Sequence, residues 1–121
     1  MAPKRTALLV EDEVLVAALA VDVLEELGYS IIEVGNAKAA REHANAGIAS
    51  FALAIIDVGL PDGRGDALAL ELRKLRHDLP IIIATGYGEA SLDAKLRDGK
   101  TTVLGKPYDI SQLQAAIESI A

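Results

Sequence analysis

Leu53-Ala54-Ile55-Ile56-Asp57-Val58-Gly59-Leu60-Pro61-Asp62-Gly63 is the stretch on which the reading of the chain turns. Four apolar residues run straight into a carboxylate, and a Pro/Gly turn follows at once. A short apolar run bounded by turn signals predicts a buried strand of a parallel sheet. Asp57 then stands at the carboxyl end of that strand, where ligands bind in open α/β sheets.

Three other apolar runs end in the same way. Thr6-Ala7-Leu8-Leu9-Val10 leads into Glu11-Asp12, Pro80-Ile81-Ile82-Ile83-Ala84 into Thr85, and Thr102-Val103-Leu104-Gly105 into Lys106-Pro107. An acid pair, a single acid, a hydroxyl and an amine each close a strand. Ile31-Ile32-Glu33-Val34 supplies a further short strand.

Helices are expected between the strands. Glu13 to Leu27 carries Val16, Leu19, Ala20, Val23 and Leu27 as an apolar stripe and is ended by Gly28. Asp22, Glu25 and Glu26 mark its wet face, on which Leu15 and Ala18 also lie. Ala37 to Ala46, opened by Asn36 and closed by Gly47, reads as a second helix. Leu68, Leu72 and Leu75 stripe a third. Gly86 to Lys100 reads as a short, weakly held helix after Gly86-Tyr87-Gly88, and the segment is expected to rearrange when the site is modified. Asp109 and Gln112 form a capping box for the last helix, striped by Ile110, Leu113, Ala116, Ile117 and Ile120. Five alternations of strand and helix predict an α/β fold with a parallel sheet covered on both faces.

Composition narrows the function classes. The 121 residues fit one domain over 1–121. A net charge of −6 argues against a nucleic-acid surface. Arg73, Lys74 and Arg76 read as a solvated helix face rather than a phosphate patch. Without cysteine, disulfides and thiolate metal sites are excluded. No apolar run approaches the roughly 18 residues of a membrane span. Met1 to Arg5 lead directly into a strand, so no signal peptide is expected and a whole cytoplasmic protein is, as a monomer or weak dimer.

If Glu11, Asp12 and Asp57 converge, each close carboxylate pair repels by about 4 kcal/mol at about 4 Å and an effective dielectric near 20. Such a cluster calls for a hard divalent cation, and oxygen ligands suit Mg²⁺. Thr85 and Lys106 are then placed to meet a phosphoryl oxygen. Metal, cation and positioned acceptor are the equipment for phosphoryl transfer onto a carboxylate. Singly, each residue has an ordinary alternative. Glu11, Asp12 and Glu13 suit the acidic first turn of a helix, and for Glu13 that is the better reading. His43 and His77 are given no role.

Taken together, these motifs resemble the receiver domain of two-component response regulators over nearly the whole chain. The acidic pair is matched by Glu11 and Asp12, the phospho-acceptor by Asp57, the switch hydroxyl by Thr85 and the family lysine by Lys106 in Lys106-Pro107-Tyr108. The resemblance implies a doubly wound, flavodoxin-like, five-stranded sheet of order 2-1-3-4-5 with five helices. It further implies phosphorylation of Asp57 by a histidine kinase or histidine phosphotransfer protein, with Mg²⁺ also taking the backbone carbonyl of Gly59. Output by phosphotransfer or by binding a downstream protein would follow, with no catalysis beyond the domain's own phosphorylation and dephosphorylation.

Three departures stand out. Val103 occupies a position where many members carry an aromatic, and Gly59 offers no side chain two residues past the acceptor. Ala84-Thr85-Gly86-Tyr87-Gly88 resembles a single-domain subgroup with a Phe-Ala-Thr-Gly-hydrophobic-Tyr motif, broken here at Ile83 and Gly88. Rival readings are a receiver-fold interaction module without phosphorylation, an aspartyl-phosphate hydrolase and a flavodoxin-like cofactor binder. The hydrolase would want a second carboxylate at Gly59. The acidic first loop would repel a cofactor phosphate.

Overall fold

The computed structural model describes residues 5–86 and 99–120. The expected helix over 86–100, with Tyr87 and nearly all of that segment, lies outside the described residues. Arg5–Val10 forms β1, Val14–Glu26 α1, Tyr29–Val34 β2, Ala37–Gly47 α2 and Phe51–Asp57 β3. Gly59–Leu60 and Gly63–Arg64 make a small antiparallel pair, β4 and β5, before α3 at Gly65–Leu75. Ile81–Thr85 is β6, Thr101–Gly105 β7 and Ile110–Ile120 α4. The main sheet is parallel, in the order β2-β1-β3-β6-β7. With the two-residue strands set aside, this is the 2-1-3-4-5 order of an α/β flavodoxin-like fold. Four α-helices stand among the described residues, against five expected.

The central strands read as unbroken apolar runs because both their faces are buried. Leu8, Val10, Ala54, Ile56, Ile81 and Ile83 pack on one face, with Ala37, Ala40 and Ala44 of α2 and Leu68 and Leu72 of α3. Ala7, Leu9, Leu53, Ile55 and Ile82 pack on the other, with Ala17, Ala20, Val23 and Leu24 of α1 and Leu113 and Ile117 of α4. Each fully buried Leu or Ile contributes about 1.5–3 kcal/mol.

Several details depart from the periodic reading. On α1 the buried set is Ala17, Ala20, Val23 and Leu24, while Val16, Leu19 and Leu27 are half-buried. The small Ala17 and Ala20 face the sheet and let the helix sit close. Leu75 is exposed, because the inward positions of α3 are Leu68, Ala69, Leu72 and Arg73. Ile110 is exposed at the first turn of α4, beside a groove against Asp22, Val23, Glu26 and Leu27 of the first helix and its end.

Arg73 corrects the expectation of a solvated basic face. It is 8% exposed. Its Nη1 donates to the carbonyls of His77 at 3.0 Å and Leu79 at 2.6 Å, and its Nη2 to the Lys100 carbonyl at 3.2 Å and Thr101 Oγ1 at 2.9 Å. Arg76 is half-buried and donates to the Ile48 and Phe51 carbonyls. No helix among the described residues is long and apolar enough to cross a membrane.

Candidate functional site

The site is assembled by hydrogen bonds that continue the sheet past its carboxyl edge. The Glu11 N–H donates to the Val34 carbonyl at 3.0 Å, Val58 to Ala84 at 3.0 Å and Lys106 to Thr85 at 2.9 Å. These three bonds fix the residues that follow β1, β3 and β7. Glu11, Asp57 and Thr85 are buried, while Asp12 is exposed.

The structure brings Glu11, Asp12 and Asp57 together, with one carboxylate oxygen of each within 4.8 Å of the others. Lys106 crosses the cluster. Its Nζ lies 3.1 Å from Glu11 Oε1 and 3.2 Å from Asp57 Oδ1. The Gly59 N–H donates to Asp57 Oδ1 at 3.3 Å. An open cavity of about 270 Å³ is lined by Glu13, Asp57, Val58, Gly59, Thr85, Gly86 and Lys106.

The electrostatics suit a divalent cation. Burial, with the adjacent Asp57 carboxylate, pushes the Glu11 carboxyl up to about 8, against the pull of Lys106. Burial works to lower the Lys106 pKa, but the hydrogen bond and charge of Glu11, followed by those of Asp57, hold it above its ordinary value. Glu11 Oε2 is buried and has no donor among the described residues. An all-oxygen set with an undonated buried carboxylate oxygen fits a hard divalent ion such as Mg²⁺.

Three functional positions escaped the sequence reading. Glu13 takes the position before α1 but makes no side-chain cap. Its Oε1 instead lies 3.5 Å from Lys106 Nζ. A Cβ at Gly65 would lie 1.9 Å from the Asp57 carbonyl oxygen, so only glycine lets α3 start against the Asp57 backbone. Asp62, a turn residue by sequence, caps α2. Nothing in a local pattern reports any of these contacts, because each joins separate elements.

A flavodoxin-like sheet with an acidic cluster and a lysine at its switch-point edge defines a narrow class of protein. The family model described as response regulator receiver domain matches residues 7–118. The chain belongs to this family. It is 32% identical over 116 residues to the sensor kinase CckA of Brucella abortus, covering 95% of this chain and 12% of that protein. It is 33% identical over 114 residues to the transcriptional regulatory protein PmrA of Pectobacterium parmentieri, covering 93% and 50%. The chain thus spans half or less of these curated relatives. A solved response regulator structure from Chloroflexus aurantiacus superposes with a TM-score of 0.83 at 26% identity, covering 98% of both chains.

Proposed function

We propose that this receiver domain accepts a phosphoryl group on Asp57 from a histidine kinase or histidine phosphotransfer protein. The observation that carries the reading is the Lys106 ammonium, 3.2 Å from Asp57 Oδ1 at the mouth of an open cavity where three carboxylates converge. Glu11, Asp12, Asp57 and the Gly59 carbonyl would hold Mg²⁺. When bound, the ion would neutralise charge on the acid cluster and on the transferring phosphoryl oxygens.

An Asp57 carboxylate oxygen forms the new P–O bond as the donor's P–N bond breaks. The electron pair stays with the imidazole, which takes a proton from solvent. No general base is needed, because the acceptor is already an anion. Lys106 supplies an ammonium to a phosphoryl oxygen, and Thr85 supplies a hydroxyl. Chemistry beyond the domain's own phosphorylation and dephosphorylation is not part of this reading. The signal then leaves by phosphotransfer or by binding a downstream protein, in the cytoplasm where such donors act.

The test is labelling by acetyl phosphate or phosphoramidate with Mg²⁺, read by intact mass. One phosphoryl group on the wild type and none on Asp57→Asn is expected. An unlabelled wild type would leave only the interaction-module reading. Labelling that persists in Asp57→Asn would move the acceptor elsewhere.

A further inference from the structure

Glu13 is a carboxylate without a local task. It stands where an acid normally caps a helix, with extended backbone at φ −84° and ψ 116°, yet its side chain bonds no amide of α1. It reaches the acceptor cavity instead. Its side chain is 61% exposed and its Oε1 lies 3.5 Å from Lys106 Nζ, whose own side chain is 16% exposed. Among the described residues lining that cavity, Lys106 is the one cation, and Gly59 and Gly86 place no side chain over Asp57. A Cβ built on either glycine meets nothing within 4 Å among the described residues. Among the described residues lining the cavity, Glu13 is therefore the exposed anion that an incoming donor meets at the rim.

We propose that Glu13 is a specificity-determining residue that selects against small, doubly anionic phosphodonors. This rests on the phospho-acceptor reading above. The selection is electrostatic. Glu11, Asp12 and Asp57 already supply a cation's carboxylates, so Glu13 adds negative charge that neither metal nor transfer requires. It also competes with the incoming phosphoryl group for the Lys106 ammonium. A donor bearing two negative charges is repelled about twice as strongly as one bearing a single net charge. Acetyl phosphate is a dianion near neutrality. Transfer from it forms a P–O bond to Asp57 and releases acetate with the bonding pair. Phosphoramidate carries a protonated nitrogen and one net negative charge. Its P–N bond breaks to release neutral ammonia. Both reactions balance without further reagents, so the pair isolates donor charge.

Glu13→Gln, Glu13→Asp and the wild type would be labelled with each donor at saturating Mg²⁺, in low and high salt. Glu13→Gln should speed acetyl phosphate labelling by about three- to ten-fold, and phosphoramidate labelling by a markedly smaller factor. The gain should shrink toward unity near 1 M salt, where the screening length is about 3 Å. Glu13→Asp, which keeps the charge, should retain much of the wild-type donor ratio. An equal gain for both donors, or a gain that survives high salt, would overturn the proposal. So would a loss of Mg²⁺ affinity in Glu13→Gln, which would place the residue among the metal ligands. A wild type labelled by both donors with a ratio indifferent to Glu13 refutes this proposal alone. A wild type labelled by neither removes the phospho-acceptor reading and this proposal with it.

Discussion

Asp62 caps a helix that is not its own: its Oδ1 accepts the Ala37 N–H at 2.8 Å, and its Oδ2 the Lys38 N–H at 3.0 Å. The next two amides of α2 go to Asn36, Ala39 to the side chain at 2.8 Å and Ala40 to the carbonyl at 3.3 Å. All four leading N–H groups of α2 are thereby satisfied. Asp62 lies between β4 and β5, and the Gly59 N–H at the start of that hairpin bonds Asp57 Oδ1. The hairpin that leaves Asp57 thus also holds the N-terminus of α2.

Replacing Asp62 by alanine should lower the melting temperature, and Asp62→Asn, which keeps one acceptor, should lower it less. The backbone amides of Ala37 and Lys38 hold the Asp62 carboxyl below its ordinary 3.8. A depressed pKa gives stability that is complete above the unfolded value and lost as pH falls through the folded one. The stability difference between wild type and Asp62→Asn should therefore be present near neutrality and fade below about pH 3.8. Urea melts across that range check it, and a difference independent of pH would refute the ionic cap.

Gly65→Ala should be among the most damaging single-methyl additions in the chain. The new Cβ would collide with the Asp57 carbonyl, the Gly65 N–H bond to Val58 at 2.8 Å would be strained, and Ile56 crowds the same point. Such overpacking costs about 1–3 kcal/mol or more. Because the clash lies on the Asp57 backbone, the phospho-acceptor reading expects acetyl phosphate labelling to fall in whatever fraction remains folded. Denaturant melts and labelling of the same sample separate the two effects.

The sheet was legible because burial on both faces leaves apolar runs without alternation, and Leu53 to Ile56 is such a run. The converging edge was legible because each run ends abruptly in a chemical group. The capping box of α4 was legible because it is local, and its two bonds form at 2.8 and 2.9 Å. What failed were contacts set by tertiary placement. Arg73 looks like a helix-face cation until the His77, Leu79 and Lys100 carbonyls are seen around it. Glu13 looks like a dipole acid until Lys106 arrives from a strand far along the chain.

Mg²⁺ should raise the melting temperature, since an ion that binds only the folded cluster stabilises by mass action. The gain is about 2.7 kcal/mol at a free concentration 100-fold above Kd. Asp57→Asn should raise metal-free stability by removing a carboxylate next to Glu11. The Lys106 ammonium, 3.2 Å from Asp57 Oδ1, already offsets part of that repulsion and limits the gain to the order of 1 kcal/mol. Thermal melts of both proteins with and without Mg²⁺ test this. An effect matched by an equal ionic strength of a monovalent salt would show that no site binds the ion.

Leu15 is 85% exposed and Val14 80%, beside a cavity of about 230 Å³ lined by Leu15, Val16, Leu19, Lys106, Pro107 and Tyr108. Burial pushes the Tyr108 hydroxyl up to about 12, so it stays protonated and neutral there. On the proposed phospho-acceptor reading, this apolar shelf, which shares Lys106 with the Asp57 cavity, is where a phosphodonor protein would dock. Leu15→Glu should slow phosphotransfer from the cognate kinase by about ten-fold, equivalent to about 1.4 kcal/mol. Labelling by phosphoramidate should change little. Equal slowing of both would assign Leu15 to the fold or to the acceptor site.

Arg73 should prove hard to replace. Its guanidinium is buried, and it joins the segment after α3 to the start of β7 through the carbonyls of His77, Leu79 and Lys100 and the Thr101 hydroxyl. Hydrogen bonds from a charged donor contribute about 1.5–3 kcal/mol each, and carbonyls left buried without a donor cost further. Arg73→Met, similar in bulk but without donors, should therefore lose about 3 kcal/mol or more by urea denaturation. Arg73→Lys keeps the charge but replaces the planar fork with a point donor that cannot span both sets of acceptors. It should recover less than half of the loss. If lysine restored full stability, charge alone would suffice, and the forked bridge between the post-α3 segment and β7 would not be what holds this edge of the sheet.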